Sequence, residues 1–147
     1  MDIFDRIKQD HDEFRDLFEQ ATKATDGDVA KSKELFEKIK KELTAHHEAE
    51  EHTFFAGLAQ KPETKDITEE AYEEHKVIEL YLKEVEENKD VRWAAKLKVL
   101  KETTEHHLKE EEDSMFPKGR KVLLDSELQG AVEQFDARKK ERLAQAG

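Results

Sequence analysis

Residues 46–55 read HHEAEEHTFF, and residues 106–116 read HHLKEEEDSMF. In each stretch a histidine is followed four residues later by a glutamate, His46–Glu50 and His107–Glu111. A bulky pair then stands eight and nine residues beyond the histidine, Phe54-Phe55 and Met115-Phe116. Residues four apart share one face of an α-helix. That face is apolar upstream: Phe36, Ile39 and Leu43 precede His46, and Trp93, Leu97, Leu100 and Thr104 precede His107. The imidazoles and carboxylates therefore sit on stripes that should face a core rather than water.

Two further histidines complete the pattern. Ile3, Ile7, His11, Phe14, Phe18 and Ala21 form one stripe, and Ala71, His75, Ile78, Leu82 and Val85 form another. His11 precedes His46 by 35 residues and His75 precedes His107 by 32, so the chain reads as a duplicated helical hairpin. Thr25-Asp26-Gly27-Asp28 marks the first turn, Gly57 to Pro62 the second and Asn88 to Asp90 the third, while Pro117 is expected to close the fourth helix. Beyond it, Ser126-Glu127-Leu128-Gln129 reads as a capping box opening a C-terminal helix anchored by Leu128, Val132, Phe135 and Leu143. No stretch reads as a strand. The expected fold is all-α: an up-down-up-down four-helix bundle over residues 1–120, with an additional helix in residues 121–147 packed on it or extending from it.

Composition agrees. The 147 residues suit one domain; 35% are hydrophobic and 43% charged, with five glycines and two prolines, the profile of long amphipathic helices. A net charge of −11 argues against nucleic acid and anionic membranes as partners. No apolar run approaches the roughly 20 residues that cross a bilayer, and the N-terminus MDIFDRIKQD lacks the order of a secretory signal. A cytoplasmic location is expected. The absence of cysteine excludes disulfides, thiolate catalysis and thiolate-bound metals.

Four imidazoles and two carboxylates directed into one core need compensation, because buried polar groups without partners are costly. Axial height brings them together. His11 lies about 12 Å along a helix starting near Ile3, and Glu50 and Glu111 lie roughly 8–12 Å before the ends of theirs. Up-down topology would collect all six at one end of the bundle. Nitrogen and oxygen donors of this kind suit iron, manganese or zinc, and two shared carboxylates suit a two-metal site.

The stretches DHDEFRDLFEQ, HHEAEEHTFF, EEHKVIELYLKEV and EHHLKEEEDSMFP resemble the hemerythrin-like (HHE cation-binding) family over roughly residues 1 to 120. The family pattern is a lone histidine, then His-x-x-x-Glu, then the same again. The resemblance implies two iron ions, with His11 and His46 on one and His75 and His107 on the other. Glu50 and Glu111 would bridge them together with an oxo or hydroxo group; zinc or manganese are alternatives. In oxygen-carrying hemerythrins another histidine follows the third-helix ligand by four residues. Here that place holds Glu79, which would either ligate or turn to solvent, and a harder oxygen ligand favours the ferric state over reversible oxygen carriage. Arg15, its counterpart in the first half, cannot ligate.

Where histidines are paired, helical phase favours His107 over His106, and the repeat favours His46 over His47. His47, His52 and His106 are then expected at the surface or behind the ligands, and Glu110, Glu112 and Asp113 on a solvated face. The function implied is binding of, or reaction with, dioxygen, peroxide or nitric oxide, including catalase- or peroxidase-like turnover. A metal-dependent sensor without turnover and a metal-free structural bundle are the alternatives.

Overall fold

The computed structural model describes residues 1–87 and 91–146, and every regular element among them is helical. Helix α1 spans Ile3–Ala24; the Asp2 carboxylate accepts the Asp5 N–H at 2.8 Å at its start. Helix α2, Val29–His52, opens in the same way, with Asp28 accepting the Lys31 N–H at 2.9 Å. Each acid satisfies an orphan amide and opposes the positive end of the helix dipole. After a break at Thr53 (φ −117°, ψ −96°) comes the short α3, Phe54–Leu58. Helix α4 spans Lys65–Glu87. The break expected at Asn88 to Asp90 lies outside the described residues.

Helix α5, Trp93–Glu110, runs into one π-helical turn, Glu111–Met115, and then into α6, Phe116–Val122. Pro117 thus does not close the helix as expected. A proline in an ordinary α-turn lacks its N–H and crowds the carbonyl one turn back; the wider turn immediately before Phe116 relieves that crowding, and the chain stays helical to Val122. The C-terminal start also differs from expectation. Glu127 accepts the Leu124 N–H at 2.8 Å at the head of a four-residue α7, Asp125–Leu128. Gly130, at φ +77°, then lets the chain reverse into α8, Ala131–Ala146.

Side-chain cross-links join the long helices to one another. Ser32 at the start of α2 donates to the Ala21 carbonyl at the end of α1 (2.8 Å) and accepts the Trp93 indole N–H of α5 (2.9 Å). Lys96 near the start of α5 meets Glu84 near the end of α4 at 3.1 Å. Arg15 of α1 meets Glu105 of α5 at 2.8 Å, and Thr44 of α2 donates to Glu79 of α4 at 2.7 Å. Helix α8 packs against α2 and α1. It buries Phe135 and places Lys139 against Asp10 at 3.0 Å.

The stripes read from the sequence are buried, but in two bodies. One apolar cluster gathers Phe18, Phe36, Ile39, Leu82, Trp93 and Leu97 with their neighbours. The other gathers Ile3, Phe4, Phe55, Leu58, Met115 and Phe135 with theirs. Between them lies a polar layer on α1, α2, α4, α5 and the π turn. The six predicted side chains are all buried. They form a slab within the core, with an apolar floor to which α1 gives Ile3, Phe4 and Ile7, α3 gives Phe54, Phe55 and Leu58, and α8 gives Ala131 and Phe135. No described helix is long and apolar enough to cross a membrane.

Candidate metal centre

His11, His46, His75, His107, Glu50 and Glu111 are all at most 2% exposed. Their donor atoms form two overlapping groups: His11, His46, Glu50 and Glu111, and Glu50, His75, His107 and Glu111. Within each group the atoms lie within 4.8 Å of one another. Both carboxylates touch both groups. Glu50 Oε1 lies 3.2 Å from His46 Nε2 and 3.3 Å from His75 Nε2. Glu111 presents Oε1 to His11 Nε2 at 3.1 Å and Oε2 to His107 Nε2 at 3.3 Å.

These approaches are close but are not hydrogen bonds. The Nε2 atoms of His11, His46 and His47 and all four oxygens of Glu50 and Glu111 are buried without a partner. Among the described residues, the Thr104 hydroxyl is the only other buried side-chain polar atom left so, and it sits one turn before His107 on α5. Native interiors rarely leave polar atoms unpaired. Here the exceptions are concentrated in one layer and aim at one another.

The reason lies behind each ring. His11 Nδ1 is 2.7 Å from Glu112, His46 Nδ1 2.8 Å from Asp10, His75 Nδ1 2.7 Å from Glu51 and His107 Nδ1 2.7 Å from Glu74. A carboxylate accepts the Nδ1 proton and leaves Nε2 as a lone pair directed inward, the tautomer that binds cations. The arrangement is cyclic: α1 supplies the acid for α2, α2 for α4, α4 for α5, and the π turn after α5 for α1. Each acid is the immediate sequence neighbour of an inward-facing residue: Asp10 of His11, Glu51 of Glu50, Glu74 of His75, Glu112 of Glu111. One residue along a helix is a rotation of about 100°, which aims the acid into the seam with the next helix.

The lone pairs then collide. His75 Nε2 and His107 Nε2 are 3.1 Å apart. With both Nδ1 protons engaged, only a cation between them or an extra proton reconciles that distance. Burial raises the Glu50 carboxyl well above its ordinary range, and the Glu111 charge adds to this. Burial lowers His75, with His47 and His107 adding to the effect. His107 moves up to about 10: burial opposes this, but the Glu111 charge outweighs it. Glu111 in turn is held well below the carboxylate range by His107 despite its burial. His11 is raised too, against burial, by its contacts with Glu111 and Glu112, so without metal, protons on His107 and His11 would offset the carboxylates. Two metal ions would meet the donor set directly, so the residues present fit the group.

Two placements differ from the sequence reading, and one alternative narrows. His47, expected at the surface or behind the ligands, is not at the surface: it is 3% exposed, its Nδ1 is 2.9 Å from Glu79 Oε2, and burial pushes its pKa down to about 4. Glu79 belongs to neither donor group, because its oxygens are engaged by Thr44 and His47. Glu112, read as solvated, stands behind His11 and also receives Arg15 at 2.9 Å. His106 is exposed as expected, near Glu110 at 3.4 Å, and His52 lies within 3.2 Å of Arg138.

No curated protein and no solved structure gives a significant match to the chain. The family model of the hemerythrin HHE cation binding domain matches residues 2–119, which include every residue of the polar layer. With four-fifths of its length so matched and its buried donors so arranged, the chain belongs to the hemerythrin HHE cation-binding family.

Proposed function

We propose that this chain is a cytoplasmic non-haem di-iron protein that binds or reacts with dioxygen, peroxide or nitric oxide. In this reading α1, α2, α4 and α5 form an up-down-up-down bundle. His11 and His46 would hold one iron, His75 and His107 the other, and Glu50 and Glu111 would be shared between them. The observation that carries it is the layer of buried Nε2 and carboxylate atoms without partners. Two ferrous or ferric ions would supply Lewis acidity and electrons for small-molecule chemistry. The chain's own contribution is placement and dryness. The carboxylates behind the rings fix the tautomers, and the apolar clusters above and below exclude water. Phe14 meets His46 edge-on at 5.1 Å and Phe116 stacks on His11 at 6.0 Å, so the first group is walled by rings that offer no hydrogen bond.

Anaerobic reconstitution should load about two irons per chain and give oxo-bridged ferric absorption on oxidation. His107→Ala or Glu50→Ala should abolish both signals. Retention of two irons by either variant would defeat the assignment, and added peroxide or nitric oxide identifies the ligand.

A second reading, a metal-dependent sensor, is favoured by one contact. Lys139 of α8 holds Asp10, which holds His46. Metal occupancy would then be transmitted to the order of α8, with little turnover of any substrate.

A further inference from the structure

His47 has features that packing does not require. It lies in α2 one residue beyond His46 and turns toward α4. Its ring stacks on His75 with centroids 3.9 Å apart and planes at 18°, and meets His107 edge-on at 5.9 Å. Its Nδ1 proton is engaged by Glu79, whose second oxygen is fixed by the Thr44 hydroxyl. Its Nε2 is buried without a partner, and the donor atoms of His47, His75 and His107 lie within 4.8 Å of one another.

The internal repeat supplies a control. Superposing His46 on His107 and His75 on His11 places Leu108 opposite His47 and Arg15 opposite Glu79. Leu108 is 1% exposed and packs in the apolar cluster, while Arg15 turns outward to Glu105 and Glu112. The fold therefore fills this seam with leucine in one half. In the other half it spends a buried imidazole and a dedicated carboxylate. An imidazole used only as a spacer leaves a buried nitrogen unsatisfied, which a leucine or phenylalanine would avoid.

We propose that His47 is a metal ligand: its Nε2 joins His75 and His107 on one metal, and Glu79 is the residue that positions it. This rests on the two-metal reading above. The consequence is asymmetry. One metal receives three imidazoles besides Glu50 and Glu111, the other only His11 and His46 besides the same carboxylates.

The test compares wild type, His47→Phe and Glu79→Ala, each loaded anaerobically with iron-57. The readouts are Mössbauer spectra and affinities under a competing chelator. Phenylalanine keeps the ring and its stacking but removes the nitrogen. Wild type should show two inequivalent irons in equal amounts. His47→Phe should lose affinity at one iron and make its spectrum resemble the other, while the apo protein melts no lower than wild type. Glu79→Ala should weaken the same iron by about ten- to a hundredfold, the usual effect of removing a carboxylate behind a ligand. His47→Phe with two irons, unchanged affinities and unchanged spectra would overturn the proposal while leaving the di-iron centre standing. If His47→Phe does not fold, Glu79→Ala decides, and an unaltered spectrum there overturns it. Failure of wild type to hold two irons would instead sink the di-iron reading.

Discussion

At the scale of single residues, the centre is a set of imidazoles each backed by an acid. Asp10 is buried, but Glu51 and Glu74 are about a third exposed and can be removed without cutting a hole in the core. Glu51, whose side chain is 33% exposed, holds the His75 Nδ1 proton at 2.7 Å. Glu51→Ala should leave the apo melting temperature nearly unchanged and weaken iron by about ten- to a hundredfold, at the His75 metal before the other. Equal loss at both metals, measured by chelator competition, would contradict the one-to-one pairing. The inward residues were legible because helical phase and the duplicated hairpin both marked them. The acids were not, because a run such as Glu110-Glu111-Glu112-Asp113 ordinarily faces water. The missed signal is adjacency: an acid beside each lone histidine and beside each inward glutamate. His47 was missed for another reason. Its counterpart in the repeat is an ordinary core leucine, so the repeat that identified His46 argued against it.

At the scale of elements, helix periodicity located α1, α2, α4 and α5 but not the irregularities that follow the two inward glutamates. α2 breaks at Thr53, three residues after Glu50, and α5 passes into its π turn at Glu111 itself. Both irregular turns lead into a buried pair, Phe54-Phe55 and Met115-Phe116. Single π turns are frequent at functional sites, where they re-aim side chains within a helix, and a sequence pattern of fours and threes carries no sign of one. Helix α8 lies outside the family match yet reaches the centre: Phe135 meets His46 edge-on at 5.6 Å, and Lys139 binds Asp10. Lys139→Met should keep the helix packed, since the residue is 8% exposed and its stem stays covered. It should weaken the metal at His11 and His46 about tenfold and leave the His75 metal unchanged. Hydrogen exchange separates the two functional readings. In a sensor, α8 amides lose protection on metal removal in wild type and are indifferent to metal in Lys139→Met. In a pure small-molecule site, protection of α8 is the same with and without metal.

At the scale of the molecule, a polar layer between two apolar bodies makes stability depend on what occupies that layer. In the apo protein the pH window follows from the displaced groups. His107, up at about 10 against an ordinary 6.5, binds its proton more tightly when folded, so its contribution is complete below pH 6.5 and disappears as pH rises toward 10. The raised Glu50 acts in the same direction, favouring the folded chain at lower pH. His47 moves the other way, down to about 4, so falling pH from 6.5 to 4 favours the unfolded chain, which takes up that proton more readily. Glu112 is depressed to about 2, against burial, by its contacts with His11 and Arg15; its contribution is complete above pH 4.5 and is lost on acidification. The apo melting temperature should therefore peak near neutral-to-mildly acidic pH and decline on both sides. In the proposed two-metal centre a cation takes the place of a proton on His107, so loading should abolish the alkaline decline. The acid decline should persist and steepen, because ligands must be deprotonated to hold metal. With free metal at about a thousand times Kd, loading adds about 4 kcal/mol, a rise on the order of 10 °C for a chain of this size. Melting curves with chelator and with ferrous iron under argon, taken from pH 5 to pH 9, measure both effects. An alkaline decline of equal slope with and without metal would show that His107 does not exchange its proton for a cation, and the charge balance assigned to the layer would fail.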